Sequence, residues 1–90
     1  MISYDYILDN KEELYNLAIE YYYNIDEEYR TNLTEITPKS IALLIEHDFI
    51  PTPCIQIIIE LHSEENTPKN GFYYLYVDDN KEFIDEFLIS

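Results

Sequence analysis

The residues with the most metal-binding character are Glu60, His62 and Glu64, which alternate at the end of the segment CIQIIIELHS. Alternate side chains of a β-strand point to one face, so these three could converge on one cation. Zinc sites usually draw on cysteine or on further histidine, which this segment does not offer. We therefore interpret the three residues as a solvated strand end, and we predict no metal site and no cofactor.

A second pattern follows the first half of a calcium-binding loop, because Asp78, Asn80 and Glu82 occupy alternate positions. Such a loop requires a glycine at its sixth position and a glutamate at its twelfth. Phe83 and Ile89 stand at these positions. The match fails, and the segment is more typical of a turn.

Nucleophilic and acid–base catalysis find no better support. Cys54 lies between a proline and an isoleucine-rich run, with no neighbour in the sequence that would activate its thiol. Carboxylate pairs such as Asp85-Glu86 are expected by chance among 19 acidic residues. A single glycine excludes a glycine-rich phosphate loop. We predict no enzymatic activity and no catalytic residue, and we place Cys54 in the core.

The charge of the chain is its most informative property. The 90 residues carry 19 acidic against five basic side chains, a net charge of −14. Such a field disfavours binding to nucleic acid or to an anionic membrane and favours a basic protein partner. The start MISYDYIL lacks the features of a signal peptide. We therefore expect a cytoplasmic protein, and the length of 90 residues predicts a single domain, residues 1–90.

The first DNKE tetrapeptide, residues 9–12, predicts a helix start. Asp9 or Asn10 is the expected N-cap, and the helix should end near Asp26. Its apolar residues recur at helical spacing and define one buried stripe of Leu14, Leu17, Ala18, Tyr21 and Ile25. The preceding ISYDYIL is compatible with a short strand or with an extra turn.

The pair Thr37-Pro38 predicts a second helix, because threonine caps helices and proline suits the first helical position. This helix should cover residues 38–47, with Ile41, Leu44 and Ile45 on its inner side. Two strands follow, CIQIIIELHS and FYYLYV.

The second DNKE, residues 79–82, is ambiguous, since it can form a turn before a last strand or cap a last helix. We favour the strand, because two strands alone would make an unstable sheet. The predicted fold is α+β, with two N-terminal helices packed on a three-stranded antiparallel sheet. The alternative, with a helix as the last segment, is ααββα.

An aromatic line on the first helix is the first candidate binding surface. Tyr15, Ile19, Tyr22 and Tyr23 lie beside the buried stripe, and Glu20 flanks them. Tyrosine is enriched at binding hot spots because it buries a large area at little entropic cost. These rings could instead widen the core. The predicted surface continues into the next segment with Asp26, Glu27, Glu28 and Tyr29.

The sheet offers the second candidate surface, because one layer of helices can cover only one of its faces. Phe72, Tyr74 and Tyr76 share one face of the strand FYYLYV. The other face holds Tyr73, Leu75 and Val77. One of these rows should be partly exposed, with Asp78 and Asp79 at its end, and it would suit a basic partner that also offers apolar surface.

The segment YLYVDDNKEFIDEFLIS resembles the C-terminal hairpin of some small bacterial immunity proteins, which are encoded beside polymorphic or contact-dependent toxins. The resemblance implies a small, acidic, cytoplasmic protein that binds and silences a basic toxin domain, often a nuclease. It transfers no individual residue role. The alternative function is a phage-type nucleic-acid mimic that inhibits a host defence enzyme such as a CRISPR or restriction nuclease. Either protein would be a monomer or a weak dimer.

Overall fold

The computed structural model describes residues 3–25, 33–63 and 71–89. Two helices, α1 (Tyr4–Asp9) and α2 (Lys11–Tyr23), precede four strands. The strands are β1 (Leu33–Leu44), β2 (Cys54–Ser63), β3 (Gly71–Val77) and β4 (Phe83–Ile89). The α+β class and the antiparallel sheet are confirmed, but the sheet has four strands where three were predicted.

The first DNKE separates two helices. The hydroxyl of Ser3 caps α1 by accepting a hydrogen bond from the backbone N–H of Tyr6 at 3.1 Å. Asn10 ends α1, where its side-chain amide donates a hydrogen bond to the carbonyl of Tyr6 at 2.8 Å. The same residue is the N-cap of α2, but its side chain makes no capping hydrogen bond there. Glu12 and Glu13 occupy the first turn of α2, where the helix dipole favours negative charge. Residues 4–8 of the ISYDYIL segment are thus helical. The predicted helix start at residue 9 or 10 is confirmed, whereas the helix ends at Tyr23, three residues before the predicted end near Asp26.

The helix predicted for residues 38–47 is wrong, because this segment belongs to β1. The register against β2 shifts between Pro38 and Ser40, so Lys39 is an extra residue in a β-bulge. The bulge reverses the alternation: Ile36 faces the helices before it, and Ile41 and Leu43 face them after it. This reversal gives the apolar residues a spacing that resembles a helix, and proline is tolerated because β1 is an edge strand.

The strands pair in chain order, β1-β2-β3-β4, with each strand antiparallel to the next. One face of the sheet, which we call the helix face, packs against α1 and α2. From the sheet its buried residues are Ile55, Ile57, Ile59, Leu61, Tyr73, Leu75 and Val77. The helices contribute Ile7, Leu14, Ala18 and Tyr22. With three isoleucines and Leu61, β2 thus contributes more buried residues to this core than any other described element.

The second DNKE forms the turn between β3 and β4, and the predicted last strand is confirmed. Oδ1 of Asp78 accepts hydrogen bonds from the backbone N–H groups of Asn80 at 2.8 Å and Glu82 at 3.0 Å. Lys81 has a φ of 62° and completes the turn. Its ammonium group lies 3.0 Å from a carboxylate oxygen of Glu13, so the turn is tied to α2. Identical tetrapeptides therefore adopt different structures.

Candidate functional site on the open face of the sheet

The face of the sheet opposite the helices is the candidate site, and we call it the open face. The cross-strand register aligns Ser40, Ile58, Tyr74 and Phe87 in one row across all four strands. The adjacent row consists of Thr37, Glu60, Phe72 and Ile89. Phe87 is 45% exposed and Ile89 is 52% exposed, whereas Ile58, Phe72 and Tyr74 are half-buried. The most accessible apolar side chains of this face therefore lie on the edge strand β4, beside half-buried apolar residues on the central strands.

The loop between β1 and β2, residues 45–53, covers one end of the open face. Ile50 is buried there against Cys54 and Tyr76. Nδ1 of His47 accepts hydrogen bonds from the backbone N–H groups of Phe49 at 3.1 Å and Ile50 at 3.2 Å, which holds the loop in place. The burial of Cys54 raises the pKa of its thiol, so this side chain is a poor nucleophile.

The predicted exposed row is only partly correct. Tyr74 is half-buried on the open face, but Tyr76 is buried because the loop covers it, and its hydroxyl accepts a hydrogen bond from Gln56 at 2.9 Å. Oδ1 of Asp78 is committed to the turn described above. Asp79 is half-buried in the same turn.

Carboxylates surround the apolar centre of the open face. Asp85 on β4 pairs with Tyr76, and Glu60 on β2 pairs with Phe72. Glu35 on β1 pairs with His62. His62 accompanies them, with Nε2 at 3.0 Å from Oγ1 of Thr37 and 3.9 Å from Glu60 Oε1. These acids stand between and around the apolar residues, which gives the face both an apolar centre and a negative field.

The predicted aromatic line on α2 is divided by the packing. Tyr22 is 1% exposed, and its ring lies 5.7 Å from that of Tyr73 in an edge contact, so it belongs to the core and offers no surface to a partner. Tyr15 and Ile19 are half-buried against the same core. Tyr23, at 52% exposure, and Glu20 remain accessible. Asp26, Glu27, Glu28 and Tyr29 lie outside the described residues.

Tyr15 and Ile19 line a groove of about 620 Å³ between the helices and the edge strand β1. Its other walls come from Leu8, Asp9, Lys11, Glu12, Asn16 and Pro38. The burial of Tyr15 raises the pKa of its hydroxyl. The groove is a second surface where apolar and acidic groups meet, and Tyr15 is the one aromatic residue among those that line it.

A side-chain hydrogen bond joins Tyr73 on β3 to Glu86 on β4. The hydroxyl of Tyr73 donates to Oε1 of Glu86 at 2.8 Å on the helix face. Burial first, and then the hydrogen bond and the charge of Glu86, raise the pKa of Tyr73 well above its ordinary value. Tyr73 therefore stays protonated in the folded chain.

We expect this coupling to make the protein sensitive to alkali. The unfolded chain ionises Tyr73 near pH 10, whereas the folded chain keeps it protonated. The stability contributed by the Tyr73–Glu86 hydrogen bond is therefore complete below about pH 10 and is lost as the pH rises above it. The Tyr73→Phe variant should lose about 1–3 kcal/mol of unfolding free energy near neutral pH. Its decline between about pH 9 and about pH 11 should be shallower than that of the wild type. Urea unfolding at each pH measures the unfolding free energies of the wild type and the variant. If both fall equally with pH, Tyr73 is not the source of the sensitivity to alkali.

Within the described residues, no group of three or more His, Cys, Asp or Glu side chains is arranged to hold a metal ion. Of the triad considered from the sequence, Glu64 lies outside those residues. Neither α1 nor α2 has the length and apolar content needed to cross a bilayer.

Comparison with protein-family models, with curated proteins and with solved structures finds no significant match to this chain.

Sequence reasoning missed the contributions of Ile58, Phe87 and Ile89 to the open face. The signal was present in β4, where Asp85, Phe87 and Ile89 alternate. A shift of register beside Tyr76 places Phe83 on the helix face, where its ring lies 5.4 Å from that of Tyr21. Only the pairing of β4 with β3 shows which β4 residues lie beside Tyr74 on the open face.

Proposed function

We propose that the chain is a non-catalytic acidic binding protein, an immunity protein that neutralises a basic toxin domain. The observation that carries the proposal is the row of Ile58, Tyr74 and Phe87 on a sheet face that neither helix covers. Exposed apolar surface of this kind is typical of interaction sites. The acids around it would suit a basic partner and exclude an acidic one.

The two components of the face have separate roles in this proposal. The net charge of −14 accelerates the encounter with a basic surface, because long-range attraction raises the association rate. The aromatic centre slows dissociation, because desolvated aromatic contacts carry most of the binding free energy in protein interfaces. An inhibitor of a lethal enzyme needs both fast association and slow release.

The first test is to isolate the partner. A tagged copy of the chain is used to capture proteins from the native host, which are eluted in a salt gradient and identified by mass spectrometry. The captured protein is then assayed for toxin activity with and without the chain. Retention through high salt and loss of toxin activity on binding are expected; a captured partner that keeps its activity would contradict the proposal.

The double variant Phe87→Ala, Ile89→Ala should weaken binding to that partner by roughly 30-fold or more, since hot-spot residues contribute about 2 kcal/mol or more. The matched control is Tyr4→Ala, Tyr23→Ala, which removes two exposed aromatic rings from the helices. Calorimetric titration measures both affinities, and thermal unfolding verifies that both variants fold. A double variant that binds as tightly as the wild type, or that loses no more affinity than the control, would contradict an interface on the open face.

One observation supports a second candidate, the nucleic-acid mimic. The acids of α1 and α2 are all exposed, and they are Asp5, Asp9, Glu12, Glu13 and Glu20. Exposed carboxylates distributed along two consecutive helices could substitute for the phosphates of a nucleic-acid strand. A partner that DNA or RNA displaces from the chain, and that is insensitive to Phe87→Ala, would support the mimic over the immunity protein.

A further inference from the structure

The sheet ends at two edges, β1 and β4, and they differ in how well they resist the addition of another strand. An edge strand presents unpaired backbone N–H and C=O groups that can pair with another chain. In the part of the chain that the structure describes, β4 pairs with β3 on one side and with no strand on the other. The same holds for β1 with respect to β2.

The edge of β1 is poorly suited to strand addition. Pro38 lacks a backbone N–H, and Lys39 forms the bulge beside it. A second irregularity lies between Leu33 and Glu35. Proline, charged side chains such as lysine, and bulges are among the devices that natural sheets use to block their edges.

The edge of β4 has no proline, lysine or bulge over residues 85–89, and its protection rests on the carboxylates of Asp85 and Glu86. Its single irregularity lies beside Tyr76, before this stretch, and the pairing with β3 is then regular up to Ile89. The backbone N–H of Glu86 donates to Oδ1 of Asp85 at 2.8 Å, a local bond that an incoming strand can replace. The stretch therefore offers a regular template of backbone groups.

The charges of β4 decide what can occupy this template. Asp85 lies on the open face and Glu86 on the helix face, so both sides of the edge are negative. A second copy of the chain paired antiparallel about this point would bring these carboxylates against their own equivalents, and like charges across strands are destabilising. Each copy would also carry a net charge of −14. A strand with basic side chains would instead be attracted to these carboxylates, and opposite charges across strands are stabilising.

We propose that the outer edge of β4, residues 85–89, receives one antiparallel strand from a basic partner protein. The added strand would place apolar residues opposite Ile89, Leu88 and Phe87, followed by two consecutive basic residues opposite Glu86 and Asp85. The residue opposite Phe87 extends the row of Ser40, Ile58, Tyr74 and Phe87 by one position. This proposal rests on the proposed function only in taking the partner to be basic. It adds the binding site on β4 and the sequence pattern of the partner's strand.

The test uses the full chain and the peptide Ser-Val-Ile-Tyr-Lys-Arg-Ser, which has the predicted order of residues. The control peptide contains the same residues in reverse order. Amide hydrogen exchange of the chain is measured by NMR with and without each peptide. Exchange at alternate amides of β4, including that of Glu86, should slow by about tenfold with the first peptide and much less with the control.

Charge reversal provides the matched pair of variants. Asp85→Lys should weaken binding of the first peptide by about tenfold or more, because it places like charges across the strands. Glu12→Lys makes the same change of net charge at an exposed site on α2 and should have a much smaller effect. Thermal unfolding of both variants confirms that the fold is retained.

The proposal is overturned if the first peptide does not bind, or if it protects amides outside β4. It is also overturned if the two charge reversals have equal effects. A further contradicting result is protection of β4 in the peptide-free chain that increases with protein concentration. The last result would identify a second copy as the occupant. A toxin that is neutralised while β4 stays unprotected in the complex would refute strand addition and leave the proposed function standing. Peptide addition to β4 without any basic toxin partner would do the reverse.

Discussion

The Tyr22→Ala variant should lose about 3–5 kcal/mol of unfolding free energy, the usual cost of truncating a large aromatic side chain in a core. The ring of Tyr22 is 1% exposed and packs between α2 and the helix face of the sheet, in edge contact with Tyr73. Small domains have only about 5–15 kcal/mol of total stability. We therefore expect the variant to be largely unfolded or to melt at a much lower temperature.

Tyr23→Ala is the matched control, since it removes the neighbouring ring from a position that is 52% exposed. Its stability should change by about 1 kcal/mol or less. In thermal unfolding, each kcal/mol corresponds to about 4–8 °C for a domain of this size, so the two variants should be clearly separated. Similar melting temperatures would show that Tyr22 is not a core residue.

Deletion of Lys39 should be the second most damaging change. Without the bulge residue, strict alternation would turn either Ile36 or the pair Ile41 and Leu43 away from the helix face. The register of half of β1 would then conflict with the core. Because these side chains are half-buried against it, we expect a loss of roughly 2–4 kcal/mol.

The substitution Lys39→Ala controls for the lost charge, and it should change stability by less than about 0.5 kcal/mol because the side chain is exposed. Urea unfolding of both variants measures the difference. A deletion variant as stable as the substitution would mean that β1 can adapt its register to β2 without a bulge.

The outcome for β1 explains why part of the fold could not be predicted. Helix periodicity identified α2 correctly, because its apolar residues keep one phase throughout. In β1 the bulge reverses the phase of the alternation midway, and Thr37-Pro38 imitates a helix start. A bulge depends on the pairing with β2, so local propensity could not reveal it.

The candidate site was limited by a different ambiguity. Both faces of β3 are apolar and aromatic, so its alternation alone cannot indicate which face the helices cover. The structure assigns Tyr73 to the helix face and Tyr74 to the open face. Tyr22 and Tyr23 presented the same difficulty on α2, because tyrosine is common both in cores and on binding surfaces.

The chain-order pairing of the strands also determines which part of the protein can open locally. Every buried residue of the main core lies before β4, which contributes Leu88 as a partly buried residue. Local opening can therefore detach β4 from β3 while the buried core stays assembled. The free edge of the sheet then belongs to β3, and the carboxylates of Asp85 and Glu86 no longer stand at that edge to repel a second copy. Self-association of this protein is therefore least opposed when β4 is detached.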